Sequence, residues 1–573
     1  MYEALDFSMS KRKKQFLKGG LILSIAAFFM RTVSVSFNAY TVSKVGAEGM
    51  GLFTLTMSLY GFFLTLATSG VGLAVTRLVA DAMGREDGRY AYKMLRRSFF
   101  YAVVCGLGAS FVLYIGAPFM AEHLLRDERT LPSLRLLALG LTPIALSSVF
   151  SGYFVAVRRT SKNAAVQIAE QWIKIALTVF LLRVLAPKGV SFACVALVLG
   201  GMLGEVLSCG ILAVTFFFDR AKHPIRDALG KRCKKAAMKP LLEIALPIAG
   251  GAYARSLLVT AEHMLIPVAL AAYGASKEIA LASYGALHSM AVPIALYPMA
   301  LLTSFAGLLV PEYTEGEVTG NKERLSRMTR ESFSATFAFA LGCAAVLFLF
   351  GEKIGACLYG STEAGGYIRA LALLVPVMYL DHVTDAMLKG IGMQVYSMVV
   401  NIADAVLSIV LVLLFLPKMG AVGYVFVILI AEVFNFTLSY IGLYRRLGTG
   451  ICLGDFRRPL LPLAGAFVCI QLFTKIPVKT GVDLGFRIAL FSLAYLLGLS
   501  FTEQWRKHKA RSFSKRGTSF GKAPLLFLKN QDFSKNSPSV SGVNLGGERA
   551  VLLDKNRKNI YNKHGGNESR GCR

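Results

Sequence analysis

The chain has 573 residues, 55% hydrophobic and 17% charged, with 63 Lys and Arg against 34 Asp and Glu and a net charge of +29. A water-soluble fold of this composition would lack the polar residues to cover its surface, so soluble classes are excluded and the bilayer is the solvent. The basic excess takes its meaning from its position along the chain, and no nucleic-acid partner is expected.

Lys11, Arg12, Lys13 and Lys14 precede the first apolar run as in a signal peptide. That run continues to about Tyr40 without a small-residue cleavage site, so it reads as a retained first helix. Apolar runs long enough to cross a hydrocarbon core of about 30 Å recur along the chain. They predict spans at 17–40, 52–75, 99–121, 134–157, 165–184, 193–218, 241–271, 279–309, 333–350, 368–389, 398–416, 422–444, 459–474 and 483–502. Barrel strands would alternate in polarity, and these runs do not. The expected fold is an all-α polytopic membrane protein of about fourteen transmembrane helices.

The N-terminus and the connections 76–98, 158–164, 219–240, 310–332, 390–397 and 445–458 carry most of the Lys and Arg, and the intervening connections carry few. The positive-inside rule then puts both termini in the cytoplasm. The densest basic cluster, Arg220 to Lys239, lies between spans six and seven, where a chain of two halves has its linker, and it suits anionic lipid headgroups. Past Gln504 the apolar pattern stops, and the rest reads as a disordered basic tail. The expected divisions are a basic N-terminus 1–16, a first lobe 17–218, a linker 219–240, a second lobe 241–444, two added helices within 445–502 and a cytoplasmic tail 503–573.

Spans five to six and eleven to twelve share a plan. Each pair has an acid early in its first span (Glu170, Asp404), a Pro-Lys turn (Pro187-Lys188, Pro417-Lys418) and a glutamate in its second span (Glu205, Glu432). Two six-helix lobes in parallel repeat follow, with a central site expected between them.

Ionisable residues within spans cost about 2.5–3.5 kcal/mol at the bilayer centre on insertion scales and therefore face partners or a wet cavity. Arg31 in span one and Arg255 in span seven occupy equivalent helices and point to a cationic cavity for an anionic, phosphate-bearing ligand, which the guanidinium fork suits. The plain alternative for Arg255 is a pair with Glu262, two turns along the same helix. Glu170 and Lys174 are spaced for a helical ion pair, as are Asp385 and Lys389. Asn401, Asp404, Glu432 and Asp381 are candidates for coupling to Na⁺ or a proton, with Glu262 as a further oxygen ligand, against the plain alternative of hydrogen bonds between helices. Glycine and proline at Gly46, Gly49, Gly51, Pro143, Pro247, Gly250, Gly251, Pro267, Pro293, Pro298 and Pro376 predict helices that bend. The nine cysteines include no CxxC pair and read as packing residues, with no metal site and no cofactor expected.

Three stretches, FFMRTVSVSFNAY through TRLVAD (28–81), ALPIAGGAYARSLLVTAEHMLIP (245–267) and YLDHVTDAMLKG through FNFTLS (379–439), resemble the stage V sporulation protein B branch of the polysaccharide-biosynthesis transporters. That branch belongs to the multidrug/oligosaccharidyl-lipid/polysaccharide exporter superfamily, which includes the MurJ-type lipid II flippases. The resemblance implies a two-lobed transporter working by alternating access in the bacterial plasma membrane, with an undecaprenyl-pyrophosphate-linked saccharide as cargo and cell-wall synthesis enzymes as partners. It puts Arg31 and Arg255 in the headgroup cavity and sets Asn38 where many members carry a second arginine. Cation-coupled drug export and a non-transporting role in envelope or spore-cortex assembly remain the alternatives. No HExxH or DxD-type motif points to an enzyme.

Overall fold

The computed structural model describes residues 2–84, 87–222, 238–448, 456–473 and 481–517. Most of the linker cluster, including Arg226, Lys231, Arg232, Lys234 and Lys235, lies outside them, as does the tail from 518 onward. The described chain is helical, and two of its longest helices are hairpins. Helix α1 (Tyr2–Thr68) breaks at Gly46, whose φ of 77° and ψ of 173° suit glycine. Asn38 on the first limb donates Nδ2 to the Ser289 carbonyl at 2.5 Å, and Thr54 on the second limb bonds the Ser289 hydroxyl. Sixteen residues of straight helix would hold these two side chains about 24 Å apart, so the chain has folded back.

From there the first lobe continues through α2 (Val71–Gly84), which completes the second span after a bend at Ser69 and Gly70, then α3 (Gly88–Phe119), α4 (Leu131–Ala156), α5 (Thr160–Leu185) and α6 (Val190–Lys222). The second lobe opens with α7 (Lys239–Ala272). Its next span is broken into α8 (Lys277–Gly285), a π-helical turn (Ala286–Ala291), α9 (Val292–Ala295) and α10 (Met299–Val318), with a bend of 57°. Then come α11 (Lys322–Tyr359), the pair α12 (Thr362–Ala372) and α13 (Val375–Gly390) bent by 59°, and the hairpin α14 (Gln394–Leu447). Gly420, at φ 60° and ψ −146°, breaks α14, and the Tyr396 hydroxyl donates to the Leu438 carbonyl across its limbs at 2.8 Å. Helices α15 (Leu460–Phe473) and α16 (Gly481–Gly517) follow.

Eight helices and two bent pairs are long and apolar enough to span a bilayer. Counting each hairpin as two spans and adding α5 and α15, the described residues give fourteen. The proline expectations are met unevenly. Pro293, Pro298 and Pro376 sit at breaks, whereas Pro143, Pro247 and Pro267 lie within continuous helices. Pro187-Lys188 forms a 3₁₀ turn, but Pro417-Lys418 stays helical, because the break falls at Gly420, where a positive φ is available. The helix drawn from 483 onward also outlasts its apolar pattern and runs to Gly517.

Each lobe buries large aliphatic and aromatic residues inward, Leu134, Leu141 and Phe154 in the first and Tyr284, Tyr313 and Tyr379 in the second, while Phe100, Phe111, Phe217 and Phe218 face outward. Outward phenylalanines are what a lipid-facing surface requires. On the face that holds the start of α1, Asp219 is fully buried at the end of α6. It accepts from Arg159 at 2.5 Å, Lys162 at 2.6 Å and Tyr153 at 3.2 Å, tying the α4–α5 connection to α6. The lobes meet along a seam of α1 and α2 against α7 and α8. A Cβ at Gly51 would lie 2.0 Å from the Leu281 carbonyl oxygen, and one at Gly285 would lie 2.2 Å from that of Ala47. Since backbone cannot yield as a side chain can, Gly51→Val is expected to cost roughly 1–3 kcal/mol of overpacking, read as a lower thermal midpoint than Gly61→Val, a position whose Cβ meets nothing within 4 Å.

Candidate functional site

Between the second limb of α1 and a wall formed by α7, α13 and α14 lies a cavity of about 900 Å³. Its polar lining includes Ser58, Arg255, Ser256, Asp385, Lys389 and Asn401. Arg255 is at the midpoint of α7, so its charge stands near the middle of the span. Lys389 pairs with Asp385 at 2.5 Å, as the four-residue spacing predicts, and the other Asp385 oxygen takes the Ser397 hydroxyl. Arg255 therefore supplies the charge in this wall that the adjacent ion pair does not cancel.

The four headgroup candidates do not share this cavity. Arg31 lies at the seam with the eighth span, its Nη2 3.5 Å from the Pro293 carbonyl. Asn38 caps the Ser289 carbonyl and reaches the Tyr359 hydroxyl at 3.5 Å. Glu262 neighbours Ser408 of α14 and makes no ion pair with Arg255. The carboxylates that feel the Arg255 charge are Asp404 and Asp381. Sequence spacing had offered Glu262 because it counts turns on one helix, and the actual neighbours come from α13 and α14.

The four coupling candidates do come together. Asp404 and Glu432 act on each other across the α14 hairpin, Asp381 joins them from α13, and Asn401 lines the cavity one turn before Asp404. One oxygen each of Asp381 and Asp404, and the Asn435 carbonyl oxygen, are buried without a hydrogen-bond partner. Unsatisfied carboxylate oxygens in a bilayer core are costly. Among the described residues, no three His, Cys, Asp or Glu side chains converge closely enough to hold a metal ion. In the first lobe the equivalent pair is differently satisfied. Glu170 takes the Ser208 hydroxyl at 2.6 Å and lies beside Glu205, whose other neighbour is Lys174. The expected Glu170–Lys174 pair is thus a shared cluster.

Sequence reasoning missed a latch on the opposite face of the molecule. Lys277, at the start of α8, donates to the Arg126 carbonyl at 2.5 Å and stands 3.3 Å from Asp127, both in the α3–α4 connection of the first lobe. Arg129 joins Asp127 to Glu48 at 2.8 Å on each side. Burial alone would raise the Asp127 carboxyl, but hydrogen bonds from Arg129 and the charges of Arg129 and Lys277 hold it below the usual carboxylate range. With a depressed folded pKa, the latch contributes fully above the unpaired carboxylate pKa and loses its contribution as pH falls through the folded value. A thiol introduced as Ala275→Cys, with native thiols replaced, is expected to label more slowly at neutral pH than the same thiol with Asp127→Asn added, and the ratio of the two rates at equal pH should approach one in acid.

The family model described as polysaccharide biosynthesis protein matches residues 16–315, and the MatE model matches 253–414. Stage V sporulation protein B of Bacillus subtilis is 26% identical over 421 residues, covering 72% of this chain and 80% of that protein. The lipid II flippase MurJ of Bacillus subtilis is 22% identical over 468 residues, covering 76% of this chain and 83% of that protein. Among solved structures, lipid II flippase MurJ in an inward closed conformation superposes with a TM-score of 0.66 at 14% identity, over 84% of this chain and 99% of that one. An inward-facing multidrug resistance MATE family transporter gives 0.58 at 15% identity, over 74% and 98%. At such identities these two superpositions establish the shared fold alone.

Proposed function

Because the chain belongs to the polysaccharide biosynthesis protein family, we propose that it is an alternating-access flippase for an undecaprenyl-pyrophosphate-linked saccharide in the bacterial plasma membrane. The observation that carries this reading is Arg255 at mid-span, in the wall of a hydroxyl- and amide-lined cavity between two lobes. A pyrophosphate there gains charge-assisted hydrogen bonds that remain strong because the site is partly withdrawn from water. A sugar gains the hydroxyl and amide donors around it, and the prenyl chain stays in lipid. The similarity to a lipid II flippase and to stage V sporulation protein B supports the cargo class. A peptidoglycan precursor or polysaccharide unit would in turn be delivered to cell-wall synthesis enzymes.

In this reading the face that holds the start of α1 and its basic connections is cytoplasmic, as are both termini. The cavity takes the headgroup on that side, near Lys389. The Lys277–Asp127 latch closes the outer face until the lobes rock. Arg31 and Asn38, on the seam beside the cavity, hold the eighth span and meet the headgroup as the lobes move. Asn401, Asp404, Glu432 and Asp381 bind the Na⁺ or proton whose gradient drives the step, with Glu262 adjoining them. A second reading, cation-coupled export of small molecules, rests on that same acidic group.

Native protein in liposomes is expected to move a fluorescent undecaprenyl-pyrophosphoryl saccharide. Arg255→Ala should slow it at least tenfold and Arg255→Lys less, since a lysine keeps the charge but loses the fork. Lack of movement by folded native protein across a range of saccharides, with uptake of small cations instead, would favour the export reading. Asp404→Asn is expected to abolish the dependence of translocation on an imposed Na⁺ or proton gradient while leaving lipid binding in place. Persistence of that dependence in the variant removes Asp404 from coupling.

A further inference from the structure

Behind the cavity, the second lobe holds four polar aromatic side chains that none of the above uses. His263 of α7 lines the cavity, and its Nδ1 is 2.6 Å from the Tyr284 hydroxyl of α8. His288, in the π-helical turn, has its Nε2 2.9 Å from the Tyr424 hydroxyl of α14. The two imidazoles are 4.6 Å apart between ring centres, and the Tyr284 and His288 rings are 4.8 Å apart. Tyr284 and Tyr424 are buried. Hydroxyls and imidazoles thus form one cluster joining four elements, with one end on the cavity.

We propose that His263 and His288 form a site for a single proton, loaded from the cavity through His263, and that its occupancy sets the contact between the lobes at the π-helical turn. Tyr284 engages Nδ1 of His263, so Nε2 is the nitrogen left to take a proton from cavity water. Two imidazolium ions at this spacing in a poorly screened interior repel strongly, so the pair takes one proton and not two. Arg255, two turns earlier on α7, and the Asp385–Lys389 pair of α13 line the same cavity as His263. Glu262 lies on α7 and Asp404 beyond it on α14, Glu363 and Tyr367 on α12 meet α8 at Ser283, and Tyr359 of α11 meets Asn38. From α1 come the neutral hydroxyl of Thr54 and the Ser58 carbonyl, which takes Thr260.

The link to the lobes is the turn itself. A π-turn carries a strained, wider ladder and recurs where a helix changes shape for function. His288 faces the second lobe, while the next residue, Ser289, bonds Asn38, Thr54 and the Met50 carbonyl of the first. Tyr424 lies four residues after the Gly420 break. A proton on either imidazole makes both of its nitrogens donors, so its tyrosine partner can only accept, and the turn and the hairpin must accommodate that arrangement together. This rests on the reading of the chain as a rocking transporter and does not depend on its cargo.

The test uses full-length protein in lipid nanodiscs, spin-labelled through Glu122→Cys in the first lobe and Lys353→Cys in the second, with no substrate. Across a pH series from about 4 to 8.5, wide enough to reach a buried histidine, the native distance distribution is expected to shift with the slope of one proton. In an Asp127→Asn background, which removes the latch's own response to acid, His263→Gln and His288→Gln should each flatten the remaining shift, while Glu243→Gln, at an exposed carboxylate near the start of α7, leaves it. Where a histidine variant does not elute as a monodisperse species, Tyr424→Phe keeps both imidazoles and should move the midpoint. An unresponsive native protein, a native shift retained in both histidine variants, or an unmoved midpoint in Tyr424→Phe overturns the site. A pH response without lipid movement in liposomes would count against the proposed cargo and leave this site standing.

Discussion

A bilayer core offers no water to a freed backbone carbonyl, and the break in the eighth span frees several at the place where the two lobes meet. Pro293 brings no N–H to the Ser289 carbonyl four residues earlier, and Asn38 of the first lobe donates to it. The Pro293 carbonyl has Arg31 near it, and the Ala295 carbonyl accepts from the Tyr379 hydroxyl at 2.8 Å. Satisfying one broken span therefore recruits α1 from one lobe and α13 from the other. The break is not a loose joint. It is a set of hydrogen bonds that both lobes share, and any movement between them has to exchange those bonds for others.

That constraint explains much of what surrounds it. Close approach of α1 to α8 needs Gly51 and Gly285, because backbone meets backbone there. Asn38 is short enough to reach a carbonyl across the seam, where an arginine would have to fold back on itself. The Lys277–Asp127 latch adds ionic contacts at the connections of the same two elements, beyond the apolar spans, where charge is less costly.

The number and type of the spans were legible in the sequence because a helix that crosses lipid must be apolar for its whole length, and Gly46 marked the first hairpin, whereas the Pro417-Lys418 expectation missed the break at Gly420 in the second. The breaks were legible only in part. Proline removes a donor wherever it sits, but whether the helix parts depends on neighbours that can cap the carbonyl, as Asn38 and Tyr379 do for the eighth span. The pairings of Arg255, Glu262 and Glu170 were less accessible still. Periodicity along one helix predicts partners at three and four residues, and in a bundle the stronger partners come from other helices. The His–Tyr cluster left almost no trace, since His263, Tyr284, His288 and Tyr424 are far apart in sequence and each alone resembles a core residue.

The two lobes repeat a plan and have put it to different use. In each, an acid early in one span faces a glutamate in the next: Glu170 and Glu205 in the first lobe, Asp404 and Glu432 in the second. In the first lobe, Ser208 and Lys174 answer those acids, so the pair is closed upon itself. In the second, Asp381 adds another acid, two carboxylate oxygens lack partners, and Arg255 stands between them and the cavity. A closed cluster holds helices together. An open one retains capacity to bind, and its charge changes what the neighbouring arginine offers to an anion. An Arg255 drawn toward Asp404 and Asp381 is less available to a phosphate, and a cation or proton on those acids releases it. On the proposed flippase reading, the first lobe serves as scaffold, and in the second ion and headgroup would compete for the same guanidinium, which would couple them without any contact between the two.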